Sequence, residues 1–294
     1  MERPPSSTTV LSPPLSIPHP SPAPPGPPHP EIHPDPDSRA RSRLSSTSHD
    51  STKHIFGKWI AHFHANRLHR PEPDWEAPTG LSSVQIQSLL PSLEQFELGD
   101  GGGPACLIAF NAERFRSKTE TTRQVVDLWF NEEREHARLL GCAVDRFGGR
   151  HIAGHWSFSA FYLCRRWLGV RFEVQALLLT EIVSDAYYRV LRAQVPDRPL
   201  QEMCSLIIRD EAGHIAFHLD RVVAGQQRWP GWLRAFWRLQ FRVLGHVAAA
   251  VLWTSHGPCL RPLGVTTPAY FRAVRQGIES FLRRCRRCRS QSQW

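Results

Sequence analysis

Two Glu-x-x-His motifs constrain this chain more than any other feature. Glu133-Arg134-Glu135-His136 and Glu211-Ala212-Gly213-His214 each set a carboxylate and an imidazole at positions i and i+3. A helix turns once every ~3.6 residues, so those two positions share a side. Both motifs sit in apolar stripes at helical spacing: Trp129, Glu133, His136, Leu140 and Ile207, Glu211, His214, Phe217. Carboxylates on a core-facing stripe are costly unless they are paired or hold metal. Two such stripes in one chain predict an all-α bundle that encloses a dinuclear metal centre.

A four-helix site of this kind needs two more acidic groups, one from each remaining helix. In an antiparallel hairpin, residues at one height lie equally far from the turn. The midpoint of Glu181 and Glu211 is Pro196, a helix breaker inside Ala193-Gln194-Val195-Pro196-Asp197-Arg198-Pro199. The midpoint of Asp100 and Glu133 falls at Ser117, where Ser117-Lys118-Thr119-Glu120 reads as a capping box opening a new helix. Both hairpins would then carry their acidic groups roughly 22–25 Å from the turn. Asp100 is followed by Gly101-Gly102-Gly103-Pro104, a poor helix interior. Two readings stay open there. Either Asp100 lies on a first helix, or a helix begins at Pro104 and leaves Asp100 in a loop, with Glu97 as the fallback one turn earlier.

The order carboxylate, Glu-x-x-His, carboxylate, Glu-x-x-His resembles that of the ferritin-like di-iron carboxylate superfamily. The segments Phe130–Leu140, Thr180–Leu191 and Asp210–His218 look most like bacterial ferritin-like-domain proteins of largely unassigned function. The resemblance covers roughly residues 85–225 and implies a ferritin-like four-helix bundle with additional N- and C-terminal helices. It carries Glu133, His136, Glu181, Glu211 and His214 over as metal ligands, and puts Asp100 where the relatives usually have Glu. The implied cofactor is two iron ions, with manganese as the alternative. The implied activity is a non-haem di-iron oxidoreductase or oxygenase that activates dioxygen on a small-molecule or carrier-bound substrate, served by an electron-donor protein. A ferroxidase or iron-handling role, and a non-catalytic binding protein with a degenerate site, are the competing classes.

Metal-bound histidine usually donates its second ring nitrogen to an acidic or carbonyl partner. Glu132 and Asp210 precede the two motif glutamates in equivalent places, and are expected to hold the histidine of the opposite motif. Tyr188, on the face of Glu181, and Asp185, one turn after it, are further candidates beside the site. His54, His62, His64 and His69 lack any carboxylate pattern and are expected on a solvated face.

Residues 1–50 are rich in Pro and Ser and nearly devoid of large apolar residues, so they are expected to be disordered. An N-terminal helix and linker follow at 51–80, the di-metal bundle at 81–227, and a helical extension with a basic tail at 228–294. Core helices are expected at about 83–117, 119–147, 170–194 and 198–225. A short helix near 157–167 should lie on the crossover, with further helices at 230–253 and 267–286.

No stretch reaches the ~18 uninterrupted apolar residues of a membrane span. Seven scattered cysteines give no disulfide framework, which makes a reducing cytoplasm the expected setting. The net charge of +9 concentrates near the C-terminus. Arg234, Arg238 and Arg242 recur along one helix beside Trp229, Trp232 and Trp237. Such a face can meet an anionic membrane surface or an acidic partner. The favoured reading is a helix packed on the bundle by its tryptophans, with arginines reaching to water. No motif points to nucleic acid, and oligomeric state is not legible.

Overall fold

The structure, a computed structural model, describes residues 57–68, 70–101 and 120–291, and excludes the side chains of 120–123 and 157–173. The expected disordered segment 1–50, the Ser117 capping box, His54 and His69 lie outside the described residues. The described chain is all-α. Helix α1 covers 57–66. It is followed by α2 (Ser83–Asp100), α3 (Glu120–Arg146), α4 (Trp156–Gln194), α5 (Arg198–Gly225), α6 (Gly231–Leu260) and α7 (Thr267–Gln291), with a 3-10 turn at Arg261–Leu263.

Local sequence sets the helix ends. Ser82 caps α2 in a reciprocal capping box with Gln85. Asp197 caps α5 by accepting from the Leu200 amide at 3.0 Å, and Pro199 occupies the first turn, where its missing N–H costs nothing. Pro196 separates α4 from α5 as the sequence predicts. Two expectations change: the helix expected from 83 to about 117 ends at Asp100, where Gly101 caps it, and the segment near 157–167 is the first part of α4 rather than a separate helix. Gly169 does not end it, because an isolated glycine costs only about 1 kcal/mol in a helix.

Four helices, α2 to α5, surround the core. α2 and α3 are antiparallel: Gly101 lies against Ala137, Gly141 against Glu97, and Gly149 against Leu90. α3 and α5 are antiparallel as well, with His136 beside Asp210 and Glu132 beside His214. The ends of α3 and α4 meet at one pole. There Arg146 of α3 bonds Asp197 at 3.1 Å and the carbonyls of Trp75 and Ala77. Gly80 presses on the Pro196 carbonyl so closely that a Cβ would overlap it. α3 and α4 are therefore parallel, and the topology is up–down–down–up. Glu133, Glu181 and Glu211 each stand thirteen residues from their helix end at that pole. At 1.5 Å per residue, all three reach a common height of roughly 20 Å.

The core packs around this plane. Leu89 and Leu93 of α2, Leu139, Leu140 and Val144 of α3, Tyr187, Tyr188 and Leu191 of α4, and Met203 and Ile207 of α5 are all buried. Phe96 closes α2 onto α4, with ring centroids 4.4 Å from Tyr187 and 5.2 Å from Tyr188. α6 packs on α2 and α4, where Ser92 Oγ lies 2.6 Å from the Tyr187 hydroxyl and 2.8 Å from His256 Nδ1. α7 joins α6 through stacked Phe241–Phe281 and Trp253–Tyr270. α1 lies in the groove of α3 and α5 with its own cluster, where Trp59 and Phe63 meet Val125, Leu128, Trp129 and Phe217. No described helix is long and apolar enough to cross a membrane, and Cys142, Cys204, Cys259 and Cys285 are in no disulfide.

Candidate metal centre

Two groups of side chains in the bundle could hold a metal ion. Ligand atoms of Asp100, Glu133 and His136 lie within 4.8 Å of one another, and so do those of Glu133, Glu181 and His214. Glu133 belongs to both groups. Glu211 joins the second, with Oε2 3.7 Å from His214 Nδ1. The six residues named from the sequence as ligands thus converge on one plane of the bundle. Asp100 is the last residue of α2, with Gly101 as its cap. It lies on a helix that arrives from Ser83, and the alternative in which it sits in a loop before a helix at Pro104 does not describe it. Glu97 turns elsewhere, with its Oε1 2.7 Å from His151 Nδ1.

Each histidine is held by an acid of the opposite motif. His136 Nε2 lies 3.1 Å from Asp210 Oδ2, and His214 Nε2 lies 3.0 Å from Glu132 Oε2. The other nitrogens point inward. His136 Nδ1 and His214 Nδ1 are buried without a hydrogen-bond partner, as is Glu211 Oε2. Leaving such atoms unpaired costs about 1–3 kcal/mol each. Three in one place, among carboxylates and imidazoles, fit a cation whose coordination would satisfy them together.

The electrostatics agree. Burial raises the Glu211 carboxyl well above its ordinary range, and neighbouring Glu181 pushes it further. Burial would raise Glu181 too, but the neighbouring Glu211 and His214 side chains outweigh it and hold the group down at about 2. Without a cation the pair shares a proton, because two buried like charges cannot both ionise. Burial, then Glu133, raises Asp100. Burial opposes protonation of His136, yet Asp210 and Glu133 raise it to about 9. The Asp210 carboxylate is held far below its usual range: burial opposes ionisation, but His136 and Arg70 prevail.

Several residues here gave no signal in the sequence. Asn66, at the end of α1, donates from one amide nitrogen to Glu132 Oε1 at 2.9 Å and Asp210 Oδ1 at 2.7 Å. It thereby ties together both acids that hold the histidines. Arg70 places Nη1 2.7 Å from Asp210 Oδ2. Trp129 donates to Glu133 Oε1 at 2.8 Å and fixes the shared carboxylate. A lone Asn in an amphipathic stretch has no motif, and only the docking of α1 brings it here. His62 and His64 are exposed, as the sequence suggests. Asp185 is paired with Arg189 at 2.8 Å and is not in either group. Tyr188 is buried, and its hydroxyl has no hydrogen-bond partner. Burial, then the nearby Asp100, pushes its pKa well up.

No protein-family model, curated protein or solved structure matches this chain.

Proposed function

We propose that the protein is a non-haem di-iron oxidoreductase of the ferritin-like kind, acting with dioxygen on an organic substrate. The observation that carries this reading is the double membership of Glu133. A carboxylate common to two ligand groups is positioned to bridge two ions. The four carboxylates Asp100, Glu133, Glu181 and Glu211 balance the charge of two divalent cations, and each histidine supplies one neutral nitrogen. The up–down–down–up arrangement of α2 to α5 supports the same reading.

Asp100 and His136 would hold one ion, Glu181, Glu211 and His214 the other, with Glu133 common to both. A pair of ferrous ions held there would supply the two electrons needed to reduce dioxygen to the peroxide level. The chain's own work is orientation and exclusion. Trp129 fixes Glu133, while Glu132 and Asp210 fix the imidazole planes. Phe63 and Trp129 close over His214, with ring centroids 6.0 and 5.6 Å away, and keep water from that side.

The test is metal analysis of freshly purified protein, then anaerobic ferrous loading and exposure to oxygen. Two irons per chain and stoichiometric oxygen uptake without mineral growth are expected. Iron accumulating far beyond two per chain would replace this reading with iron storage. Absence of any bound transition metal would leave a binding protein with a degenerate site.

A further inference from the structure

The C-terminal helix pair carries a surface that the metal centre does not use. Along α6, Trp232, Phe236, Leu239, Val243, Val247 and Val251 are exposed between 53% and 71%. Their spacing of three and four residues makes one continuous stripe on the helix, roughly 28 Å long at 1.5 Å per residue. The tryptophans expected to pack α6 on the bundle divide accordingly. Trp237 is buried against it and Trp229 is partly buried on the core, while Trp232 turns to solvent. A contiguous apolar strip of this length is more than the scattered exposed residues of an ordinary surface.

The charge beside the stripe selects its occupant. Residues 231–294 contain eleven arginines and a single acidic residue, Glu279, so this stretch alone exceeds the whole chain's net charge of +9. α6 itself has no acidic residue. Glu279 of α7 bonds Arg242 of α6 at 2.5 Å and fixes which face of α7 adjoins α6. At helical spacing on that face stand Arg272, Arg275, Arg283 and Arg286, all exposed. Among the described residues none of these four enters an ion pair. Arg289, between Arg234, Arg238 and Arg286, is held below the usual arginine range, first by burial and then by these like charges.

We infer that this face docks on an anionic lipid surface, with the α6 stripe in the headgroup–acyl boundary and the α7 arginines on lipid phosphates and carboxylates. A helix with Trp, Phe and Leu on one side and arginine on the other is built for that boundary. A second copy would set one arginine-rich face against another, which repulsion opposes. A fluid lipid surface accepts a convex stripe without a matching groove.

The experiment is co-sedimentation of the full-length protein with vesicles of phosphatidylcholine alone or mixed with phosphatidylserine, at low and high salt, with chromatographic sizing alongside. Binding to the mixed vesicles, weak binding to neutral ones and release by salt are expected. Phe236→Glu should cut binding ~10-fold or more by charging the stripe. Each of Arg275→Gln, Arg283→Gln and Arg286→Gln should cost about five-fold. These positions are exposed, and circular dichroism will show that the variants fold. No binding to the mixed vesicles, or equal binding by wild type and Phe236→Glu, overturns the inference. A wild-type dimer that Phe236→Glu converts to monomer would assign the face to a second copy instead. Tight binding of an acidic protein without vesicle binding would assign it to that class.

Discussion

The two halves of the candidate metal centre are built differently. Glu181, Glu211 and His214 stand mid-helix on α4 and α5, buried, on two helices joined by a capped turn at Pro196 and Asp197. Asp100 stands at the very end of α2, half-buried, with a shorter side chain and a glycine after it. Helix interiors fix a side chain through hydrogen bonds on both sides, whereas a last turn frays. The half that holds Glu181 and His214 is thus preorganised, and the half that holds Asp100 depends on one helix end. Glu133 is the hinge of the comparison because it serves both.

Glu133→Ala should have the largest effect. It removes the shared carboxylate, so metal analysis should find neither ion retained at wild-type affinity. A variant that still holds two ions would break the comparison, since the halves would then be independent. Asp100→Ala should come next and act on one half: about one ion per chain retained and oxygen uptake lost, with the fold intact. Full two-ion occupancy and wild-type oxygen uptake would remove Asp100 from the site. Glu97→Ala, beside it, should change neither.

The histidines sharpen the contrast. His136→Ala and His214→Ala should each lower metal affinity roughly 10-fold or more, measured by competition with a chelator. Each loss should fall on the half that holds the residue replaced.

Metal-free protein should also report on His136 through pH. Its folded pKa of about 9 lies above the unfolded value of 6.5. The imidazolium therefore stabilises fully below about pH 6.5 and loses that contribution as pH rises towards 9. A shift of this size is on the order of 3 kcal/mol. Thermal melts of metal-free protein should fall across this window, and those of His136→Ala should be flatter. Parallel curves would show that His136 is not charged in the metal-free fold.

The smallest expected effect treats the halves alike. Asn66→Ala removes one donor shared by Glu132 and Asp210, at a cost of about 1–3 kcal/mol to stability. Metal affinity should weaken modestly at both sites. A loss confined to one ion would mean that the two histidine–acid pairs are not coupled through α1.

Much of this was legible in the chain. The paired Glu-x-x-His motifs and the Pro196 midpoint placed Glu181 and Glu211 at one height, because helical rise is constant and an antiparallel hairpin preserves distance from its turn. The symmetric positions of Glu132 and Asp210 suggested the acids that the structure sets 3.0 and 3.1 Å from the histidines. Sequence could not decide Asp100, since the glycines after it weaken a helix without saying on which side the helix lies. The structure settles that locally, with a Ser82 cap and an end at Asp100.

Other features came only from tertiary packing. Asn66 and Arg70 reach the site because Trp59 and Phe63 dock α1 into the α3–α5 groove, a long-range contact with no periodic trace. The α6 stripe is a second case. Sequence showed tryptophans and arginines on one helix, but packing of Trp237, Phe241 and Trp253 chose the face that turns inward. Local rules fix helices, caps and which residues share a side, because they depend on near neighbours along the chain. Which side meets another helix, and which is left to solvent, is decided by burying the most apolar surface at once, and only the assembled fold does that.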